Sequence, residues 1–174
     1  MPAVPPIVRM GTVEDVTAAL DLLGEASAWV RTTFGITQWP DRFPTEQIQR
    51  DATAGSLFVT EADGVIVGTL SLSWSDPRFW GNRSDAGFVH RLAVGRSAAT
   101  AGLGEELLSW ADREILRRGR SWLCVDVIYE NAGLRTYYER LGFEMVGEVS
   151  GESSYPTGAT IDRWRGALYQ RPSR

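Results

Sequence analysis

The sequence predicts a single α/β domain in which about four helices flank a mixed sheet of about seven strands. Two observations support this prediction. An Asp-Gly pair at residues 63 and 64 joins two apolar segments, which indicates a β-hairpin. Farther along, a strand, a small-residue loop, a helix and a second strand follow one another between residues 86 and 128. A hairpin followed by strand–helix–strand combines antiparallel and parallel pairs in one sheet.

Each predicted element follows from a local pattern. Helices are predicted where apolar residues recur every three or four positions behind a capping residue such as Thr12 or Thr45, and glycines at 119 and 142 end two of them. Strands are predicted where short apolar segments lie between turn residues. The predicted order is β-α-α-β-β-β-α-β-α-β-β, with strands at 7–10, 56–61, 65–74, 88–94, 121–128, 143–149 and 160–168, helices at 12–33, 46–54, 101–118 and 131–141, and loops at 75–86 and around Tyr155.

Charge and hydropathy exclude two classes of partner. The formal net charge is −4 and the sequence pI is near 5.1, which argues against nucleic acid as the main partner. No apolar segment approaches the roughly 20 residues of a membrane-spanning helix, and the Pro-rich start has no signal-peptide core. The single Cys124 is interpreted as a small buried hydrophobe. We expect one cytoplasmic domain over residues 1–174, either monomeric or assembled as a homodimer.

Residues 86–104 contain the most informative segment of the chain. A strand ends at Val94, a loop of small residues follows, and a helix begins at about Ala101. The first N–H groups of a helix have no partner within it, the helix dipole favours an anion there, and glycine lets a phosphate approach the backbone. The segment therefore predicts either a tight turn or a pyrophosphate cradle, the latter formed by Ala99, Thr100, Ala101, Gly102, Leu103 and Gly104.

Two motifs, in order, resemble the GNAT (Gcn5-related N-acetyltransferase) superfamily. The first is Leu92-Ala93-Val94 followed by Gly102-Leu103-Gly104, and the second is Asn131 with Tyr138 seven residues later and Gly142-Phe143 at the helix end. The family usually has Gln or Arg where this chain has Ala99, a departure that bears on cofactor affinity more than on cofactor identity. The resemblance covers nearly the whole chain and implies the GNAT fold.

The resemblance also implies a reaction, namely acetyl transfer from acetyl-CoA to the primary amine of a small molecule. The cradle would hold the pyrophosphate, and the main chain of Leu92, Ala93 and Val94 would bind the pantetheine arm as an added strand. Asn131 would hydrogen-bond the pantetheine or a nearby backbone group, and it is equally well placed to cap its helix.

Three side chains are candidates for proton transfer. His90, the single histidine, lies two residues before Leu92, and strand alternation predicts that both lie on one face. It is either the base that deprotonates the amine or a hydrogen-bonded structural residue. Asp126 on the neighbouring strand is a second candidate base, an amine-binding carboxylate or a structural residue. Tyr138 occupies the general-acid position of the family, from which it would protonate the departing thiolate.

The acceptor side is predicted from aromatic residues in loops. Trp39 and Trp80 are candidates for cation–π attraction to the amine, and Asp41 or Asp76 for pairing with its charge; no metal site is predicted. Three other functions remain as alternatives: a non-catalytic acyl-CoA sensor, an acetyltransferase acting on protein N-termini or lysines, and a dinucleotide-binding oxidoreductase. Leu107, where the third glycine of Gly-x-Gly-x-x-Gly would stand, disfavours the last.

Overall fold

The computed structural model describes residues 6–99, 102–154 and 160–174. Seven strands form one sheet in the order β1-β2-β3-β4-β5-β7-β6. Neighbouring strands are antiparallel except β4 and β5, which are parallel, so the mixed sheet is confirmed. The strands are β1 Ile7–Met10, β2 Leu57–Ala62, β3 Val65–Ser73, β4 Ala86–Val94, β5 Trp122–Ile128, β6 Glu144–Ser154 and β7 Thr160–Pro172.

Six α-helices and one 3-10 turn, Val13–Asp15, accompany the sheet in the described residues. None of these helices is both long and apolar enough to cross a membrane. The helices are α1 Val16–Phe34, α2 Thr45–Thr53, α3 Pro77–Trp80, α4 Arg96–Ala99, α5 Leu103–Arg117 and α6 Ala132–Arg140.

The turn signals of the sequence are confirmed, with one correction at a helix start. Asp63 and Gly64 both have positive φ, 52° and 76°, and form the two-residue turn between the paired residues Ala62 and Val65. Thr12 caps the 3-10 turn that leads into α1, in a capping box with Asp15. Thr45 was predicted as a cap but is the first helical residue, because Pro44 takes the capping position before it.

Two short helices were missed by the sequence patterns, because one turn is too short to show a helical period. In α3, the predicted loop at 75–86 is interrupted by Asp76-Pro77, where Asp76 Oδ1 accepts a hydrogen bond from the Phe79 N–H at 3.3 Å and proline occupies the first helical position. In α4, the chain turns once directly after β4. The strands β6 and β7 are longer than predicted, and Tyr155 between them lies outside the described residues.

Apolar side chains fill both faces of the sheet. On one face, α5 packs Leu107, Leu108 and Ile115 against β5 residues including Leu123 and Val125, and all of these are buried. On the other face, α1 and α2 pack against β2 in a second cluster. The sheet is therefore a central layer with helices on both sides, and the polar groups of β4 and β5 described below lie where this packing stops.

Candidate active site

The parallel strands β4 and β5 pair only at one end. Their register runs from Ala86 opposite Trp122 to Val89 opposite Val125, and no pairing between them continues beyond it. Past this point β4 remains paired with β3 and β5 with β7, so the two strands diverge. A slot lies between their diverging ends, and it opens into a cavity walled by β4, β5, β7, α3, α6 and the segment between α1 and α2.

A β-bulge in β4 sets which side chains face which way. Arg91 has a φ of 50°, and the pairs Ser71–His90 and Thr69–Ala93 leave two residues of β4 opposite one of β3. The extra residue shifts the alternation by one position. Leu92 accordingly packs against the cluster under α5, whereas His90 lies on the opposite face, so the expectation that they share a face is wrong.

His90 lies between two carboxylates. Its Nδ1 is 3.1 Å from Asp126 Oδ1, and its Nε2 is 3.4 Å from the Ser73 hydroxyl and 3.7 Å from Asp76 Oδ2. Asp76 is only 9% exposed, and this Oδ2 has no hydrogen bond within the described residues. His90 and Asp126 both line the cavity, with Asp76 behind the imidazole ring. A proton taken up at this wall would thus be held between acidic groups.

The same three residues are also close enough to share a cation, since ligand atoms of Asp76, His90 and Asp126 lie within 4.8 Å of one another. In a metal site the ring nitrogen directs its lone pair at the ion. Here each ring nitrogen faces a carboxylate oxygen, an arrangement that also allows proton transfer through His90.

Tyr138 reaches the cavity from α6. Its side chain is 5% exposed, packs edge-on against Tyr137 and Phe143 with centroid distances of 5.4 and 5.2 Å, and lines the cavity wall. Burial raises the pKa of the Tyr138 phenol well above its usual range, so the hydroxyl stays protonated and able to donate. No described residue forms a hydrogen bond with that hydroxyl, which leaves it free to meet a bound group.

Asn131 positions α6 from its N-terminus. The side-chain Oδ1 accepts a hydrogen bond from the Leu134 N–H at 3.0 Å, which is the helix cap that the sequence allowed. Its Nδ2 donates to Gln38 Oε1 at 2.7 Å, and the residue is buried. Asn131 therefore ties the helix of Tyr138 to the segment between α1 and α2, across the cavity.

The loop before α5 has the features of a phosphate cradle. Gly102 has a φ of 78° at the helix cap, and its carbonyl accepts from the N–H groups of Glu105 and Glu106, so the N–H groups of Leu103 and Gly104 have no partner inside the helix. A Cβ at Gly104 would lie 3.0 Å from the Tyr137 hydroxyl, so glycine at this position lets that hydroxyl lie against the first turn of α5.

The strand beside this loop offers a free backbone edge. Leu92, Ala93 and Val94 lie past the last pair between β4 and β5, so the edge that faces β5 has no ladder partner. Ala99 ends α4, and Thr100 and Ala101 lie outside the described residues. A glycine cradle next to an unpaired strand edge fits a pyrophosphate joined to an extended chain carrying amides, which is the chemistry of coenzyme A.

Of the predicted acceptor residues, Trp39 lines the cavity, whereas Trp80 and Asp41 lie outside it. Trp39 lines the cavity next to Phe43, at a centroid distance of 5.8 Å. Trp80 does not line it, but packs 5.9 Å from Phe88 beside the buried Cys124. Asp41 has a side chain that is 74% exposed and pairs with Arg31 away from the cavity. Trp164 of β7 also lines the cavity. Sequence reasoning missed Gln47, Arg78 and Phe79, and for Arg78 and Phe79 the Asp-Pro start of α3 was the available signal.

Comparisons with known proteins agree with this geometry. The model of the acetyltransferase (GNAT) family matches residues 24–143. The chain is 29% identical over 145 residues to an uncharacterized N-acetyltransferase, YesJ of Bacillus subtilis, covering 77% of this chain and 79% of that protein. The chain therefore belongs to the GNAT family. It is an N-acetyltransferase of a family that takes its acetyl group from acetyl-CoA.

Solved structures show the same fold. The structure of yncA, a putative acetyltransferase from Salmonella typhimurium with its cofactor acetyl-CoA, has a TM-score of 0.68 at 22% identity and covers 98% of this chain and 95% of its own. A GNAT-family acetyltransferase from Listeria monocytogenes has a TM-score of 0.73 at 20% identity, with 99% and 98% covered. A ribosomal-protein-alanine N-acetyltransferase from Brucella melitensis has a TM-score of 0.67 at 23% identity, with 95% and 99% covered.

Proposed function

We propose that this protein transfers an acetyl group directly from acetyl-CoA to the primary amine of a small molecule, at the cavity where β4 and β5 diverge. The observation that carries the proposal is the meeting of His90, Asp126 and Tyr138 around one cavity beside an unpaired strand edge. When bound, acetyl-CoA supplies a thioester carbonyl that an amine can attack and a thiolate that leaves. The residues of the chain must then position acetyl-CoA, deprotonate the amine and protonate the departing thiolate.

The backbone supports the cofactor half of the site. The free edge of Leu92–Val94 can exchange main-chain hydrogen bonds with amides, and an N–H on this edge would stabilise negative charge on the thioester oxygen. The N–H groups at Leu103 and Gly104 would bind the pyrophosphate without any charged side chain. For this reason Ala99, in place of the usual Gln or Arg, leaves most of the cradle intact.

The base is assigned to the pair formed by His90 and Asp126 on the cavity wall. A primary amine with a reference pKa near ~10.4 is mostly protonated at neutral pH, so it must lose a proton before it attacks. Asp126 and His90 face the cavity and are linked through Nδ1, so the proton would pass to this pair. Asp76 holds the other side of the ring and is assigned as the positioning residue.

The acid is assigned to Tyr138. When the C–S bond breaks, the sulfur gains negative charge and takes a proton from the nearest donor. The Tyr138 hydroxyl lines the cavity, remains protonated because burial raises its pKa, and forms no hydrogen bond with the described part of the chain. It is therefore free to donate, and it regains a proton from solvent after each turnover.

The acceptor is assigned as a small molecule from the cavity wall. Trp39, Phe43, Phe79 and Trp164 line the cavity from three different parts of the chain, namely the α1–α2 segment, α3 and β7. Aromatic walls that converge with a few polar groups are typical of small-ligand pockets.

The experiment is thiol release from acetyl-CoA with a panel of small amines and of short peptides with free N-termini. We expect turnover with members of the small-amine set and a covalent mass increase of one acetyl group on the amine. Turnover of peptides but of no small amine would instead assign the enzyme to the class that acetylates proteins. Acetyl-CoA binding without turnover of either set would support the acyl-CoA sensor instead.

A further inference from the structure

The cavity wall carries a cation without a counter-ion. The other charged residues of the described wall already have partners, since Arg91 pairs with Asp51, and Asp126 lies within hydrogen-bond distance of His90. Arg78, on α3, lines the same cavity and pairs with no carboxylate among the side chains that the structure describes. Asp126 is the one carboxylate on the described wall, and it is occupied by His90. Arg78 is thus the one arginine on the described cavity wall that has no carboxylate partner.

Arg78 is an exposed residue at the cavity rim, and its guanidinium contacts two aromatic rings instead of a carboxylate. Its guanidinium carbon lies 5.0 Å from the centroid of Phe79 and 5.2 Å from that of Trp164, and both rings line the cavity. The two rings lie at 75° to each other, so the guanidinium can be parallel to only one of them. Contact with an aromatic face leaves the in-plane N–H donors of a guanidinium available to an anion. This orientation suits bidentate binding of a carboxylate or phosphonate. Gln47, half-buried on the same wall, supplies an uncharged amide nearby.

We propose that the acceptor is a primary amine that also carries an anionic group, and that Arg78 binds that group. The inference rests on the proposed acetyl transfer and specifies its substrate class. It reverses the expectation from sequence, in which Trp80 and Asp41 would have bound a simple cation, because neither residue lines the cavity.

The short helix α3 links this recognition to the chemistry. Asp76 caps α3 through Oδ1 and faces His90 Nε2 with Oδ2, and Arg78 follows two residues later on the same turn. The residue that positions the proposed base and the residue that would bind the anion therefore lie on the same helical turn. An acceptor bound at Arg78 would have its amine end directed toward the wall formed by His90 and Asp126.

The experiment compares amino acids with their own carboxamides as acceptors, by thiol release from acetyl-CoA. The variant is Arg78→Gln, and the control is Arg113→Gln, which makes the same change of charge at an exposed residue of α5 that does not line the cavity. Amidation lowers the pKa of the α-amine toward ~8 and leaves more of it neutral, so amine reactivity alone would favour the carboxamide.

We expect kcat/KM about 10- to 100-fold higher for the carboxylates, mainly through KM, since a hydrogen-bonded charge is typically worth that factor. The preference should be lost in Arg78→Gln and kept in Arg113→Gln. Equal use of acids and carboxamides, or a preference that survives Arg78→Gln, would overturn the inference while acetyl transfer to amines still stands.

If no amine releases thiol, the proposed function fails, and binding decides the inference separately. The same acid and carboxamide pairs are titrated against the CoA-saturated protein by tryptophan fluorescence, because Trp39 and Trp164 line the cavity. Carboxylate-selective quenching that disappears in Arg78→Gln supports anion recognition. Quenching without selectivity, or no quenching by either ligand, overturns it.

Discussion

The two ends of the β4–β5 pair differ in burial and in the polarity of their side chains. At the paired end, Phe88, Val89, Leu123 and Val125 are all at most 3% exposed and belong to apolar clusters. Past Val89 the ladder stops, and the next residue on β4 is His90, which faces a carboxylate of β5 across the opening.

This contrast shows how one pair of strands serves both stability and chemistry. Where the backbones are hydrogen-bonded to each other, the space between layers is filled by apolar side chains. Where they diverge, main-chain groups lose their ladder partners and become available to a ligand. The bulge at Arg91 sharpens the change, because it returns Leu92 to the face of the core cluster while His90 stays on the opposite face.

The largest expected effect is on stability, at the paired end. Leu123 is fully buried, so Leu123→Ala should lower the free energy of unfolding by about 2–5 kcal/mol through lost burial and a residual cavity. Urea denaturation measures this loss. Acetyl-CoA affinity of the folded variant should stay near that of the wild type, and a tenfold weaker affinity would show that the two ends are not separable.

At the diverging end, Tyr138→Phe should lower kcat by about 10-fold or more, which corresponds to roughly 1.4 kcal/mol of transition-state stabilisation. Coenzyme binding and unfolding free energy should change little, because no hydrogen bond to a described residue is lost. Tyr129→Phe, outside the cavity lining, is the matched control. Unchanged turnover in Tyr138→Phe would remove the general-acid assignment.

Substitutions at His90 and Asp76 should have a smaller effect, which is a change in the pH dependence of kcat/KM. His90→Ala should change the pH dependence of kcat/KM, and Asp76→Asn should change it in the same direction but less, because Asp76 acts through His90. Steady-state kinetics over a range of pH measure both. A loss of unfolding free energy with an unaltered profile would mean that His90 is only a structural residue.

The smallest effect is an expected lack of reactivity at Cys124. Burial, the main cause, raises the pKa of this thiol to about 12 from 9.0, so the native protein should not react with thiol reagents on the assay timescale. The unfolded thiol ionises first as pH rises above 9.0, so this group makes the fold less stable at alkaline pH. Stoichiometric labelling of the native chain would contradict this.

Sequence patterns predicted the framework because its signals are local. Strand alternation puts Leu123, Val125 and Val127 on one face of β5, where all three join the core cluster, and the Asp-Gly turn defines the β2–β3 hairpin. The two spaced motifs brought Tyr138 and the glycines before α5 to the correct elements.

The remaining features depend on contacts between distant residues. Nothing in the local pattern marks the bulge at Arg91, and strand alternation therefore misplaced His90 relative to Leu92. Trp80 and Asp41 come from segments with loop composition, but tertiary packing and an ion pair place them outside the cavity. The place of Arg78 at the cavity could not be predicted from local patterns, because it depends on the packing of α3 beside β7.

The most direct test of the central account, that the diverging end of β4 and β5 is an acetyl-CoA site, is calorimetric titration of the protein with acetyl-CoA, CoA and NAD. We predict micromolar binding of acetyl-CoA and CoA at one site per chain, and no heat with NAD. Absence of binding by both CoA forms would contradict the account, since the glycine cradle and free strand edge would then hold no coenzyme.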